Sequence, residues 1–399
     1  MGHLNPPTYA VHPVFLDPTG ARRRQRLCMA GNTLGQALRL TTFGESHGPA
    51  VGCVIDGCPA GVPLTAEMIQ VWLDRRRPGQ SPLTSPRREA DQVRLLSGVY
   101  QDRTLGTPIC AMVENLDTKS KDYANIQELY RPGHADFTWQ ARYGHRDPRG
   151  GGRASARETV GRVIGAAVAQ AVLHAWCEAQ GLARPVVAAW VQQIGNVALT
   201  GEFPFDGADL TQGGGTSSPH FACPDPEAAE RMVAAIEAAR LQRDSLGGVV
   251  RCAAWQVPVG LGDPVFDKLT GLLGHALSSL PAFRGWHIGD GFDAAGQRGS
   301  QHNDAFLRAA DGSIVTATNH HGGVLGGITT GMPLRLEVAF KPVATIPQPQ
   351  QGIGAEGPPQ PLTVTGRHDP CVVPRAVVLV EAAVWHSLAD LALRTAKLT

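Results

Sequence analysis

Three arginines and a run of glycines meet in Arg149-Gly150-Gly151-Gly152-Arg153-Ala154-Ser155-Ala156-Arg157-Glu158-Thr159. The stretch opens a segment with helical apolar spacing that runs from Val160 to Trp176 and meets a stop signal at Gly181. A helix N-terminus presents unpaired N–H groups and partial positive charge, so it attracts anions before any side chain contributes. Arg149, Arg153 and Arg157 add full charges, which suits the segment to a phosphate. Ser155 followed by Glu158 predicts a capping box. The plainer alternative is a glycine loop with solvated arginines.

Four other segments place Arg, His or Asp beside Gly or Pro, on turns of the kind that carry functional groups. They are Thr41-Thr42-Phe43-Gly44-Glu45-Ser46-His47-Gly48, Asp74-Arg75-Arg76-Arg77-Pro78-Gly79-Gln80, Arg131-Pro132-Gly133-His134-Ala135-Asp136 and Gly366-Arg367-His368-Asp369-Pro370-Cys371. Histidine near neutral pH can give or take a proton, so His47 and His134 are candidates for general acid work on a leaving group. Each can equally be a hydrogen-bonded structural histidine, the arginines a solvated surface or ion-pair network, and Asp369 a turn residue. His302, His320, His321 and His368 show no metal-ligand spacing, so no metal is expected.

Helices are predicted at Thr65–Arg77, Ser155–Gln180, Asp225–Arg243, Pro264–Leu280 and Pro374–Lys397, each with a start signal such as Thr65, or Pro264 after Asp263. Strands are predicted at Ala50–Ile55, Val186–Gln193, Val249–Val257 and Leu334–Phe340, which gives an α/β or α+β class. Small residues from Gly161 to Ala171 predict that the Ser155 helix is central, and Gln348–Pro361 reads as a mobile loop. His47-Gly48-x3-Gly52-x4-Gly57-x-Pro59 echoes His321-Gly322-x3-Gly326-x4-Gly331-x-Pro333, which suggests duplication and internal pseudo-two-fold symmetry.

The chain has 399 residues, 43% hydrophobic and 18% charged, a globular composition. Net charge is +1, which argues against nonspecific nucleic-acid binding. The 47 glycines imply tight turns and close backbone approach to ligands. Eight cysteines without a Cys-x-x-Cys pair predict free thiols in a reducing cytoplasm. No apolar run of about 18 residues predicts a membrane span. Residues 1–28, with four prolines and Arg22-Arg23-Arg24-Gln25-Arg26, are expected to be a disordered extension or a misassigned start ahead of Met29. Residues 29–399 then form one domain.

Together these segments resemble the chorismate synthase family from Met29 to about the C-terminus. Met29-Ala30-Gly31-Asn32-Thr33 looks like the family's usual beginning. The quoted segments, with Asp244-Ser245-Leu246-Gly247-Gly248, Gly289-Asp290-Gly291-Phe292, Gly299-Ser300-Gln301 and Gly326-Gly327-Ile328, follow its signatures in order. The resemblance implies an α+β fold, a β–α–β sandwich with long helices between two antiparallel sheets, assembled as a homotetramer. It implies a carbon–oxygen lyase that converts 5-enolpyruvylshikimate 3-phosphate to chorismate and phosphate with reduced FMN. An NADPH-dependent flavin reductase activity and a noncatalytic flavin-binding paralogue are the alternatives, and a separate flavin reductase is an implied partner. No Gly-x-Gly-x-x-Gly follows a strand, so no dinucleotide domain is expected.

By the same resemblance, Arg75, Arg76, Arg77 and Arg157 face the substrate and His47 protonates the departing phosphate. His134 sits by the flavin N1–C2=O edge, and Asp369 acts as base toward flavin N5. Flavin contacts carry over to Arg153, Ala154, Ser155, Pro281, Ala282, Gly326, Lys341, Pro342, Val343, Ala344, Thr345 and Arg367. Ala154 and the Val343-Ala344 pair stand where the family usually has hydroxyls. Pro82 replaces a frequent arginine, and Pro281 an asparagine of some members.

Overall fold

The computed structural model describes residues 31–77, 90–116, 128–200, 221–364 and 369–395. Helices among them are α1 (Ala66–Arg76), α2 (Asp136–Tyr143), α3 (Thr159–Ala179), α4 (Pro226–Leu241), α5 (Leu269–Ser278), the short α6 (Gly299–His302) and α7 (Val373–Arg394). Two start where local signals predict. The Thr65 hydroxyl accepts the Met68 N–H at 3.2 Å, and the Asp225 carboxylate accepts those of Glu227 and Ala228 at 2.9 and 3.1 Å.

Two five-stranded antiparallel sheets frame the helices. One runs in the order Thr33–Leu34, Arg39–Phe43, Ala50–Asp56, Ile109–Glu114, Val93–Ser97. The other runs Val197–Ala198, Val186–Ile194, Gly248–Trp255, Leu334–Phe340, Phe283–Ile288. Helix α3 packs on the first sheet, α7 on the second, and α3 and α7 on each other. Two glycines make the first contact possible. A Cβ on Gly161 would lie 2.7 Å from the Gly52 carbonyl oxygen, and one on Gly165 would lie 2.8 Å from a Leu40 methyl. Each glycine costs a helix about 0.5–1 kcal/mol relative to alanine, and the close sheet contact offsets it. Helix α7 and residues 156–179 are long and apolar enough to cross a membrane by length and composition, but both lie in the core.

Buried acids on α7 tie distant segments to that core. Glu381 accepts from the Arg75 guanidinium at 2.7 and 2.8 Å and from the Ala189 N–H at 3.0 Å. One oxygen of Asp390 accepts the N–H groups of Gln36, Ala37 and Leu38 at 2.7–2.9 Å. Buried charge needs this degree of compensation.

Several expectations are corrected. Helix α5 begins at Leu269 rather than Pro264, because Asp263 N bonds to Asp267 O at 3.0 Å in a turn that precedes it. Residues 348–361 are not simply a loop. Gln350–Gly354 pairs with Gln360–Leu362 and with Leu129–Tyr130, and Pro361 is tolerated on the edge strand. The internal echo splits in structure: its first copy holds the continuous strand Ala50–Asp56, its second a hairpin of Val324–Leu325 with Ile328–Thr329. Shared glycine spacing there encodes turns in different settings. The predicted capping box also fails. Ser155 accepts from Arg157 N at 3.3 Å, while Glu158 accepts from Thr42 Oγ1 at 2.8 Å and Arg162 Nε at 2.9 Å. For this buried carboxylate, the distant Thr42 hydroxyl and Arg162 one turn on win over the N-terminal cap, and the first turns, Gly152–Ala154 and Ala156–Glu158, are 3₁₀.

Candidate active site

His47 sits on the turn that follows strand Arg39–Phe43. The Asn115 amide clamps this turn by donating to Glu45 O at 3.0 Å and Gly48 O at 2.8 Å. Ser46 Oγ lies 3.1 Å from His47 Nδ1, and the imidazole is buried. The glycine run passes directly beside it. Gly150, Gly151 and Gly152 have φ of +62°, +95° and +53°, left-handed values that favour glycine. A Cβ on Gly150 would lie 2.3 Å from His47 Cε1, and one on Gly151 would lie 2.8 Å from His134 Cε1. The run therefore brings bare backbone against both candidate histidines.

His134 is oriented from the start of α2. Asp136 accepts from Arg131 Nε at 2.7 Å and Nη2 at 2.9 Å, and its Oδ1 stands 3.0 Å from His134 Nδ1. Burial pushes the Asp136 carboxyl up, but hydrogen bonds from Arg131 and His134 outweigh it and hold the group far below the ordinary carboxylate range. As a depressed group, it contributes stability above its unfolded value near 3.9 that is lost only as pH falls through the folded value. The arrangement thus persists across neutral pH. Burial likewise raises Asp147, while hydrogen bonds from Arg149 and the neighbouring charge of His47 bring it below its ordinary value.

The arginines arrive from α1 and the 3₁₀ turns. Arg76 and Arg157, both almost wholly buried, share Asp91 at 2.8 and 2.5 Å. Arg76 also donates to Thr159 Oγ1 at 3.0 Å, and Arg157 to Asn115 Oδ1 at 2.8 Å. Arg153 donates to Thr42 Oγ1 at 2.7 Å. On the far wall, Lys341 Nζ donates to Gly133 O at 2.6 Å, and desolvation with the charge of Arg284 lowers its pKa. Asp369 accepts from Arg375 Nη1 at 2.6 Å.

These groups line one cavity of about 710 Å³. His47, His134, Asp369, Arg76, Arg157, Arg153, Ala154, Ser155, Pro281, Ala282 and Lys341 through Thr345 all reach it. Three expected site residues do not line it. Arg75 turns to Glu381, Arg77 is exposed with Asp74 at 3.7 Å, and Gly326 lies in the hairpin between Leu325 and Ile328. Arg367 and Pro82 lie outside the described residues. Sequence reading missed Arg131, Arg162, Arg284 and Arg375 in the lining, and Asp91 and Asn115 behind it. Only Arg131 stood in a segment already singled out.

The volume falls within the ~300–1,000 Å³ of small-molecule sites. Leu280, Phe283, Val343 and Trp139 offer apolar surface beside the cationic groups, which matches a planar ring carrying an anionic tail. Guanidinium groups suit phosphate and carboxylate. Fold and site thus define an enzyme-like cavity suited to anionic ligands, furnished with imidazoles, His47 and His134 among them, and with the carboxylates of Glu158 and Asp369.

Residues 38–393 match the family model described as chorismate synthase. A chorismate synthase of Chloroflexus aurantiacus is 51% identical over 366 residues, which cover 92% of this chain and 96% of that protein. One of Roseiflexus castenholzii is 50% identical over 366 residues, covering 92% and 98%. A solved structure, "Crystal Structure of Chorismate Synthase", aligns with a TM-score of 0.68 and 30% identity over 90% of this chain and 92% of that one. The chain belongs to the chorismate synthase family.

Proposed function

We infer that this cavity eliminates phosphate from 5-enolpyruvylshikimate 3-phosphate to form chorismate, a carbon–oxygen lyase reaction with 1,4-anti stereochemistry. One observation carries the reading: His47, His134, Arg76, Arg157 and Asp369, drawn from segments spread along the chain, converge on a single cavity of about 710 Å³. Arg76 and Arg157 hold the substrate's anionic groups. His47, buried beside the Gly150 backbone, delivers a proton to the departing phosphate oxygen. With Nδ1 directed at Asp136, His134 presents Nε2 to its ligand. Asp369, oriented by Arg375, supplies the basic carboxylate. Lys341 through Thr345, Arg153, Ser155 and Ala282, all in the lining, would hold FMN. Reduced FMN would supply an electron-rich ring that stabilises the electron deficiency left by allylic C–O cleavage.

The layering of sheet, α3, α7 and sheet is read as the β–α–β sandwich of the family, in a homotetramer. Its location is the cytoplasm, in keeping with seven described cysteines that are all free. The deciding experiment is an anaerobic assay of chorismate formation with chemically reduced FMN, with and without NADPH. Turnover with reduced FMN is expected, and its absence overturns the lyase reading. If NADPH with oxidised FMN gives no product, a separate reductase supplies the flavin.

Two smaller effects follow from the lining. Ala154, Val343, Ala344 and Pro281 place no side-chain hydroxyl or amide on the cavity wall. Each lost polar contact is worth about 0.5–1.5 kcal/mol, so reduced FMN should bind more weakly than in relatives with the full set. Submicromolar affinity by anaerobic titration would contradict this. Replacing His134 by alanine should lower turnover by up to about 10³-fold. Full rate in that variant would remove it from the chemistry.

A further inference from the structure

We propose a second site, a divalent-metal centre of Asp290, His302 and His320, at the end of strand Phe283–Ile288 remote from the cavity. Their ligand atoms all lie within 4.8 Å of one another. Asp290 Oδ2 is 2.8 Å from His320 Nδ1 and 3.7 Å from His302 Nδ1. Metal–ligand bonds of ~2.0–2.2 Å at tetrahedral angles put neighbouring ligand atoms about 3.3–3.6 Å apart, a value bracketed by these two distances. Two imidazoles and one carboxylate form a borderline donor set that selects zinc, cobalt or nickel over magnesium or calcium.

The donors are held before any ion arrives. Asp290 N bonds to His320 O at 2.8 Å, which joins the two segments by backbone. Asp304 accepts the N–H groups of His320 and His321 at 2.9 and 3.1 Å, the Thr318 hydroxyl at 2.6 Å and a proton from His321 Nδ1 at 2.9 Å. This fixes the turn that presents His320. Gln297 spans the site, donating to Asp290 Oδ2 at 3.0 Å and lying 2.9 Å from His302 Nδ1. An ion takes the place of the Nδ1 protons, which move to Nε2, and leaves a coordination position for water. Side-chain exposures of 17, 23 and 31% give it a path from solvent. Phe283 lines the cavity at the other end of the six-residue strand, about 20 Å away at ~3.3 Å per residue, so the ion acts as a clip between three segments.

The test uses the untagged full chain, stripped with chelator and titrated with Zn²⁺ by calorimetry. One equivalent should bind saturably and raise the unfolding midpoint. Asp290→Asn and His320→Ala should each weaken binding by at least about 10–100-fold, the loss typical even of supporting residues around a metal. Their metal-free circular dichroism should match that of the parent chain. For the parent, the Co²⁺ absorption spectrum should report nitrogen ligation that His302→Gln removes. No saturable binding, or unchanged affinity in both variants, overturns the site.

Discussion

Exchanging His47 for alanine should lower the rate of chorismate formation by about 10²–10⁴-fold while leaving substrate and flavin binding nearly unchanged. A general acid matters only as the bond to phosphate breaks, so its loss falls on kcat rather than on KM. The structure adds a partner to this expectation. Because a Cβ at Gly150 would sit 2.3 Å from His47 Cε1 and 2.5 Å from Nδ1, Gly150→Ala must displace the ring or the loop. The φ of +62° adds strain in the same variant. Gly150→Ala should therefore slow the wild-type background strongly but add little once His47 is already alanine. The double-mutant cycle measures this coupling directly. Equal losses in both backgrounds would show that Gly150 acts through something else, and full activity of His47→Ala would remove the imidazole from the mechanism.

Removing Asp91 should be the most damaging single change to stability at the site. Its carboxylate is wholly buried between two guanidiniums that are themselves 2 and 4% exposed. Replacement by alanine leaves two buried cations without their shared anion, for which about 3–5 kcal/mol is typical. That is a large part of the ~5–15 kcal/mol total stability of a folded domain. The denaturant midpoint should fall accordingly. Surviving protein should show a raised KM, since Asp91 also aims Arg76 and Arg157 at the cavity. An unchanged midpoint would mean that neighbouring groups such as Thr159, Asn115 and the Ala156 carbonyl already compensate the arginines.

The run Arg75-Arg76-Arg77 shows how far local reading reaches. Cationic side chains next to a turn are visible in the sequence, but successive residues on a helix point about 100° apart. Only Arg76 faces the cavity, while Arg75 meets Glu381 and Arg77 remains exposed. The Ser155 and Glu158 pattern failed for a related reason: its local bond competed with Thr42 from a distant strand and with Arg162 one helical turn further on. Strand Leu334–Phe340 was legible because its buried face alternates with period two. The strands Gln350–Gly354 and Gln360–Leu362 were hidden, since glycine and proline there mask a pairing that depends on Leu129–Tyr130.

By itself, the order of residues determined which chemistry was present: imidazoles on glycine turns, arginines around a phosphate-suited loop, and the caps that start α1 and α4. Such features depend on neighbours within a few residues, so the chain states them locally. Only the tertiary structure decided which arginines reach the cavity, that Asp91 joins two of them, and that Asp290, His302 and His320 meet at all. Those outcomes depend on contacts between segments far apart in the chain, set by how the sheets and the α3–α7 core pack, and no spacing rule records them.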